Sequence, residues 1–317
     1  MSAEPLRSGS MKAIRVHAFG DVDAMVYEDV PRPGPGPGQV VVRVAAAGVG
    51  PWDAWIREGK SVVPQPLPLT PGADLSGVIE AIGPEVVGFT PGAAIFGVTN
   101  RRFTGAYAEY ALAEAAMIAP KPAVLTDVEA ASVPVAACTA YQMLWRHASV
   151  SAGQTVLILG GTGNVGDYAV QLAQIGGARV VATARERHID LLRTLGDVEA
   201  VPAAAPPPAR LAAKVDAVID TVGGAALARA FDWLRPGGAL ISAVAAPDQD
   251  VAMRRGVRAR FILVDVTTAD LRHLAGLFET RKLRPRVGEV LRLAEARIAH
   301  RMLEDRGHRA GKIVLVP

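Results

Sequence analysis

The chain has 317 residues, half of them hydrophobic, and 34 basic against 31 acidic residues give a formal net charge of +3. No run approaches the ~20 consecutive apolar residues that a membrane-spanning helix needs, and the basic residues are dispersed rather than clustered, which argues against nucleic-acid binding. The single cysteine, Cys138, excludes an internal disulfide framework and a cysteine-rich zinc site, and the expected compartment is the cytoplasm.

Met1 to Ser10 is polar and lacks the apolar core of a secretory signal, and Met11-Lys12-Ala13-Ile14 reads as a natural start preceded by an extension. From Lys12 to Pro122 come short Val-, Ile- and Ala-rich runs punctuated by Gly and Pro, among them Val40 to Val44 and Gly77 to Ile82. This spacing predicts a mostly β, barrel-like unit. Pro31 to Gly38 reads as a surface loop. Leu125 to Ala148 reads as helical, with Asp127 and Glu129 in a first turn that favours carboxylates.

Thr155-Val156-Leu157-Ile158-Leu159 is short, apolar and β-branched, as a strand buried on both faces should be. Further strands are expected over Arg179 to Thr183, Asp216 to Thr221 and Ala239 to Val244, with helices between them. Alternation of this kind predicts an α/β, doubly wound parallel sheet. Ala203 to Pro208 ends in three prolines and is expected to be a loop. From about Phe261 the pattern gives one more strand, a helix over Thr268 to Leu283, a strand over Val287 to Leu293, a helix over Ala294 to Gly307 and a last strand, Lys312 to Val316. This tail has the texture of the first segment. The expected division is therefore one domain from residues 1–122 and 261–317, with a second, 123–260, inserted.

Gly160-Gly161-Thr162-Gly163-Asn164-Val165-Gly166 stands between the strand ending at Leu159 and an apolar-periodic helix, the context a dinucleotide-binding loop requires. Gly161 permits the tight turn, Gly163 lets the backbone approach a pyrophosphate, and Gly166 lets the helix pack on the sheet. The helix N-terminus then offers N–H groups and a favourable dipole to the phosphates. An NAD-selective site places a carboxylate at the tip of the second strand. That strand instead ends Thr183-Ala184-Arg185, and Arg185 suits a 2′-phosphate, so NADPH is the expected cofactor. Glu186, one step further, keeps NADH open.

These residues resemble the medium-chain dehydrogenase/reductase superfamily, and within it the zinc-independent quinone oxidoreductase group, from Met11 to Pro317. The likeness rests on Pro71 to Ile79, Gly105 to Tyr110, Val133 to Ala140, the glycine loop, Asp220 to Gly224, Leu234 to Gly238 and the ending from Ala299 to Leu315. It implies a GroES-like β-barrel-type catalytic domain built from both chain ends around a Rossmann domain. It places Ala243, Val244 and Ala245 beside the nicotinamide, Thr139 near that ring, and Val222 and Thr183 among the cofactor contacts. It further implies a homodimer through paired Rossmann edges.

Zinc relatives hold the catalytic metal through a Cys where this chain has Gly50 and a His where it has Ala73. Neither residue has a ligand atom, so no metal is expected. Without a Lewis acid, oxidation of a simple alcohol is hard, whereas hydride delivery to an enone or quinone spreads the new charge onto an oxygen. Zinc-free relatives usually carry Asn at position 50 and often Tyr at position 55, and here Gly50 and Trp55 remove both polar groups. Asp53 matches the family's acidic position, or else caps a helix or pairs with Arg57. Trp52 and Trp55 either line an apolar pocket or fill core. Asp53, Trp55 and Thr139 are the catalytic candidates. The expected function is an NADPH-dependent enone or quinone reductase. A cofactor-binding sensor or structural protein with little hydride chemistry, and a tailoring enzyme with one dedicated substrate, stay open.

Overall fold

The structure is a computed structural model, and it describes residues 9–205, 208–305 and 309–317. The first segment supplies strands β1 (Ser10–Val16), β2 (Met25–Pro31), β3 (Gln39–Val49), β4 (Asp74–Ile82), β5 (Ala94–Val98), β6 (Tyr110–Glu114) and β7 (Ile118–Pro120). The middle supplies β8 (Thr155–Leu159), β9 (Arg179–Ala184), β10 (Val198–Pro202), β11 (Val215–Asp220), β12 (Leu234–Ser242) and β13 (Arg258–Phe261). The tail adds β14 (Val287–Arg292) and β15 (Lys312–Val316). The helices are α1 (Pro51–Arg57), α2 (Asp127–Ala131), α3 (Pro134–Tyr141), α4 (Asn164–Ile175), α5 (Ile189–Arg193), α6 (Gly224–Arg229), α7 (Gln249–Arg255), α8 (Thr268–Glu279) and α9 (Ala296–Asp305).

The chain divides into two compact units, Met1–Val135 with Val266–Pro317, and Ala136–Asp265. The division expected from sequence lay at 122/123 and 260/261. The first boundary falls later because α2 packs on β3 and β4, its Ala131 joining Ala46 and Val314 in a small core.

In the first unit a seven-stranded sheet runs β14-β15-β3-β4-β5-β7, with β6 also paired to β3. The hairpin β1–β2 is tied in by bridges from Ala13 to Ala108 and from Val16 to Leu69. The C-terminal strand β15 lies antiparallel against β3, Ile313 opposite Val49. Its Ile313, Val314 and Leu315 are buried. Burying each such side chain is worth about 1.5–3 kcal/mol, which draws the chain's end into the unit formed by its beginning.

The second unit is a six-stranded parallel sheet in the order β10-β9-β8-β11-β12-β13. Its strand order reverses between β8 and β11, which makes the carboxyl ends of those strands the place for a ligand. Val156, Leu157 and Ile158 are wholly buried, as their unbroken apolar run required.

Some sequence expectations need correction. The single helix over Leu125 to Ala148 is α2, α3 and a π-helix, Gln142–His147, in succession. Pro134 lacks an N–H and pushes its predecessor out of the helical region, so the chain restarts there. Strand β10 was not anticipated: Val-Glu-Ala-Val-Pro is only five residues long and four of them are half-buried, and its proline is tolerated because β10 is a sheet edge. Helix α8 stops at Glu279 rather than Leu283, with Arg281 in a left-handed conformation (φ 55°). Pro206 and Pro207 of the expected loop, and the expected helix end at Gly307, lie outside the described residues.

Candidate functional site

The turn from β8 to α4 carries the site of the second unit. Gly160 adopts φ +81°, a conformation that strains any residue with a Cβ. A Cβ on Gly166 would collide with the Gly160 carbonyl oxygen, so glycine there is a condition of the turn. Gly161 is buried, and a Cβ on it would stand 2.9 Å from Ala182 Cβ and Leu192 Cδ1. Gly163, by contrast, is exposed, and an added Cβ would meet only the Gly160 oxygen at 3.3 Å. Its outer side is the open side of the loop.

Gly163 caps α4 without a side-chain bond, and the first bond into the helix runs from Asp167 N to Gly163 O at 2.8 Å. The N–H groups of Asn164, Val165 and Gly166 precede that bond. Helix ends of this kind present donors and a partial positive charge to an anion. Thr162, Asn164 and Val165 are partly exposed around it. The loop therefore fits a pyrophosphate.

Thr183, at the end of β9, ties that strand to the loop from beneath: its Oγ1 accepts from Gly160 N (3.1 Å) and its carbonyl from Gly161 N (2.8 Å). Gly161 and Thr183 thus face inward and support the loop. Arg185 follows β9 and is exposed, as are Glu186 and Arg187. Burial, and then the charges of Arg187 and Arg185, hold His188 below the usual histidine range. A positive potential at the β9 tip explains the second of these effects, and Arg187 is a contributor that sequence reasoning missed. Val222 and Val244 are half exposed on the loops after β11 and β12, and Ala243 N donates to Asp220 O (3.1 Å). Thr139 and Cys138 are buried on α3.

The first unit holds the other candidates. Asp53 lies in α1 and is fully buried; its Oδ2 accepts from Gly50 N (2.8 Å) and from the Tyr107 hydroxyl (3.0 Å). Its Oδ1 has no hydrogen-bond partner among the described residues. Burial pushes the carboxyl up to about 7, against the opposing effects of the Gly50 N–H and the Lys312 ammonium. Asp53 thus caps α1. Arg57 is engaged elsewhere, with Glu58, Glu304, the Gly20 carbonyl and His300 Nδ1. Burial, then the Arg57 charge, holds His300 down at about 3, so that ring is neutral. Trp55 is 46% exposed and is the only one of the three catalytic candidates open to solvent.

The departure at Gly50 has a packing explanation. A Cβ there would overlap the Trp52 indole, which therefore fills the space that a residue-50 side chain needs. Lys312 Nζ stands 4.3 Å from the centre of that ring and 2.7 Å from Asp74 Oδ2, so the indole also packs against a cation that is itself fixed. Gly50→Ala is expected to cost about 1–3 kcal/mol. It should also displace Trp52 and shift tryptophan emission. In the Gly50→Ala/Trp52→Ala double variant the two losses should be less than additive. Full additivity in thermal melts would contradict this packing.

An inserted parallel Rossmann sheet with a glycine-loop anion site, in a β unit built from both chain ends, defines a two-domain dinucleotide-binding protein. The profile of the alcohol dehydrogenase GroES-like domain matches residues 36–123, and that of the zinc-binding dehydrogenases matches residues 193–315. The quinone oxidoreductase of Coxiella burnetii has a similar structure, with a TM-score of 0.88 and 32% identity over 98% of this chain and 100% of that one. The chain belongs to the medium-chain dehydrogenase/reductase superfamily, in its quinone oxidoreductase-like group. The tomato (Solanum lycopersicum) 2-methylene-furan-3-one reductase is 35% identical over 67% of this chain and 57% of its own length. The human quinone oxidoreductase is 38% identical over 55% and 53%. The match thus spans little more than half the length of these curated relatives. As for zinc, Gly50 and Ala73 bring no ligand atoms, and among the described residues no group of three or more His, Cys, Asp or Glu is placed to hold a metal ion. The residues present do not fit it. No described helix is long and apolar enough to cross a membrane.

Proposed function

We propose that this protein is an NADPH-dependent, zinc-independent oxidoreductase that reduces the conjugated C=C bond of an enone, or a quinone. The observation that carries the reading is the β8–α4 turn, closed by Gly166 against Gly160 beneath and open at Gly163 above. The amides of Asn164, Val165 and Gly166 hold the pyrophosphate, Gly161 and Thr183 keep the loop in shape, and Arg185 takes the 2′-phosphate. Bound reduced nicotinamide supplies hydride. Trp55 offers a planar substrate an aromatic face. Asp53 acts at a remove, holding the start of α1 through Gly50 and Tyr107. The two relatives described above, a furanone reductase and a quinone oxidoreductase by name, support the substrate class. A homodimer paired along Rossmann edges would use β13, an outer strand of the parallel sheet.

The reading is tested by following NADPH oxidation with a panel of enones and quinones. Steady oxidation with at least one of them is expected. Binding of NADPH without turnover of any would favour the sensor or structural reading instead. Arg185→Ala should weaken NADPH about 10- to 100-fold, the worth of a charge-assisted hydrogen bond, and NADH by less than about threefold. Equal losses for both nucleotides in a binding titration would reject the phosphate assignment.

A further inference from the structure

Asp220, the last residue of β11, and Ser242, the last of β12, are both fully buried. Asp220 Oδ1 accepts from Val222 N and Gly223 N, each at 3.0 Å. Its Oδ2 accepts the Ser242 hydroxyl proton at 2.7 Å. With its proton so directed, Ser242 Oγ accepts from Val244 N (3.1 Å) and Ala245 N (3.2 Å). One carboxylate therefore sets four backbone amides in two loops, directly on one side and through a hydroxyl on the other. The first loop reaches β8 as well. Thr221 Oγ1 donates to Leu159 O (2.7 Å), and a Cβ on Gly160 would meet Val222 Cγ2 at 2.7 Å.

The position of this hub gives it a task. A dinucleotide spans the carboxyl edge of such a sheet across the reversal of strand order. With the phosphate-binding loop after β8 and the adenosine side marked by the β9 tip, the other mononucleotide half faces the loops after β11 and β12. Hydrogen bonds that fix those two loops fix the wall against which that half rests. Misplacement by about 1 Å can cost about 100-fold in rate.

We infer that Asp220 and Ser242 are positioning residues that hold the loops at Val222 and at Val244–Ala245 for the redox-active half of the cofactor, and that they act on turnover rather than on capture of the adenosine half. This inference rests on the function proposed above. Neither residue touches the reacting atoms.

The test compares wild type, Ser242→Ala and Asp220→Asn. Three readouts are used: backbone amide exchange in the cofactor-free protein, binding of 2′,5′-ADP and of NADPH, and kcat. Ser242→Ala should speed exchange at Val244 and Ala245 at least about tenfold and leave 2′,5′-ADP affinity within about threefold of wild type. It should lower kcat by about 100-fold, with a larger deuterium isotope effect from NADPH labelled at C4. Asp220→Asn keeps one acceptor oxygen for Val222 and Gly223, so it should fold and show the same pattern less strongly. Wild-type exchange and kcat in both variants would overturn the inference while leaving the proposed function intact. A loss that appears equally in 2′,5′-ADP binding would also overturn it, since it would mark a general structural role. If wild type binds neither nucleotide, the proposed function fails first and the inference with it.

Discussion

Lys312→Met is expected to lower the melting temperature by about 10 °C. The Lys312 ammonium is about as buried as the core and lies 2.7 Å from Asp74 Oδ2, itself wholly enclosed. Removing the lysine leaves the Asp74 carboxylate, among the described residues, with the Val135 N–H at 2.8 Å as its donor and no cation in contact. Breaking one half of a buried pair in this way costs about 3–5 kcal/mol, because the orphaned charge keeps its desolvation penalty. In a unit of this size each kcal/mol moves the midpoint by about 2–4 °C. The same substitution removes the cation from the Trp52 ring, so the indole that fills the space beside Gly50 loses its support. Asp74→Asn on the Lys312→Met background should recover much of the loss, since a neutral amide carries a far smaller penalty. A single-variant loss below about 1 kcal/mol would show that the pair is not organised as described.

The second large effect falls on the cofactor. Gly166→Ala puts a methyl group into the Gly160 carbonyl oxygen, and the three atoms it would meet are all backbone, so no rotamer change relieves the clash. Either α4 must withdraw from β8 or the Gly160 turn must open. Overpacking of this kind costs about 1–3 kcal/mol. The cost should appear mainly as weakened nucleotide binding, by about 5- to 150-fold, because the displaced parts are the amides of Asn164 and Val165. Gly163→Ala is the comparison: an added Cβ there meets one atom, the Gly160 oxygen, at 3.3 Å, against a direct collision with the same oxygen at Gly166, so its loss should come mainly from the space the phosphate needs and far less from strain in the protein. The melting temperature of the free protein should fall for Gly166→Ala and hold for Gly163→Ala.

The parts of this molecule that could be read in the sequence are those whose signals are local. The apolar run Val156 to Ile158, the glycines that follow it and the periodic helix after them stand within a few residues of one another, and a strand, a turn and a helix follow in that order, although the left-handed conformation falls on Gly160 rather than on Gly161, where the tight turn was expected. Arg185 could be placed at a strand tip by counting along the chain. Other features depend on residues far apart. That Trp52 takes the place of a side chain at position 50 depends on Lys312, 260 positions later, and could not be inferred from either tryptophan alone. Asp220 was legible as part of a family pattern, yet its partner Ser242 lies on the neighbouring strand, and only the parallel pairing of β11 with β12 sets the two side by side. The helix expected over Leu125 to Ala148 failed for a different reason. Its apolar content is uniform enough to mask the restart at Pro134, where local backbone chemistry overrides periodicity. Strand β10 was missed because five residues ending in a proline make too short a run to stand out as a strand, and its place at the sheet edge comes only from pairing with β9.

The most direct measurement is a titration of the purified protein with NADPH, followed by nucleotide fluorescence and by the thermal midpoint. Saturable binding should raise the midpoint as nucleotide exceeds its Kd, by about 2.7 kcal/mol of stabilisation at 100-fold excess over Kd, and Gly166→Ala should shift the curve to higher concentration. If neither signal moves with NADPH or with NADH, the turn after Leu159 does not hold a dinucleotide and the account of this site is wrong.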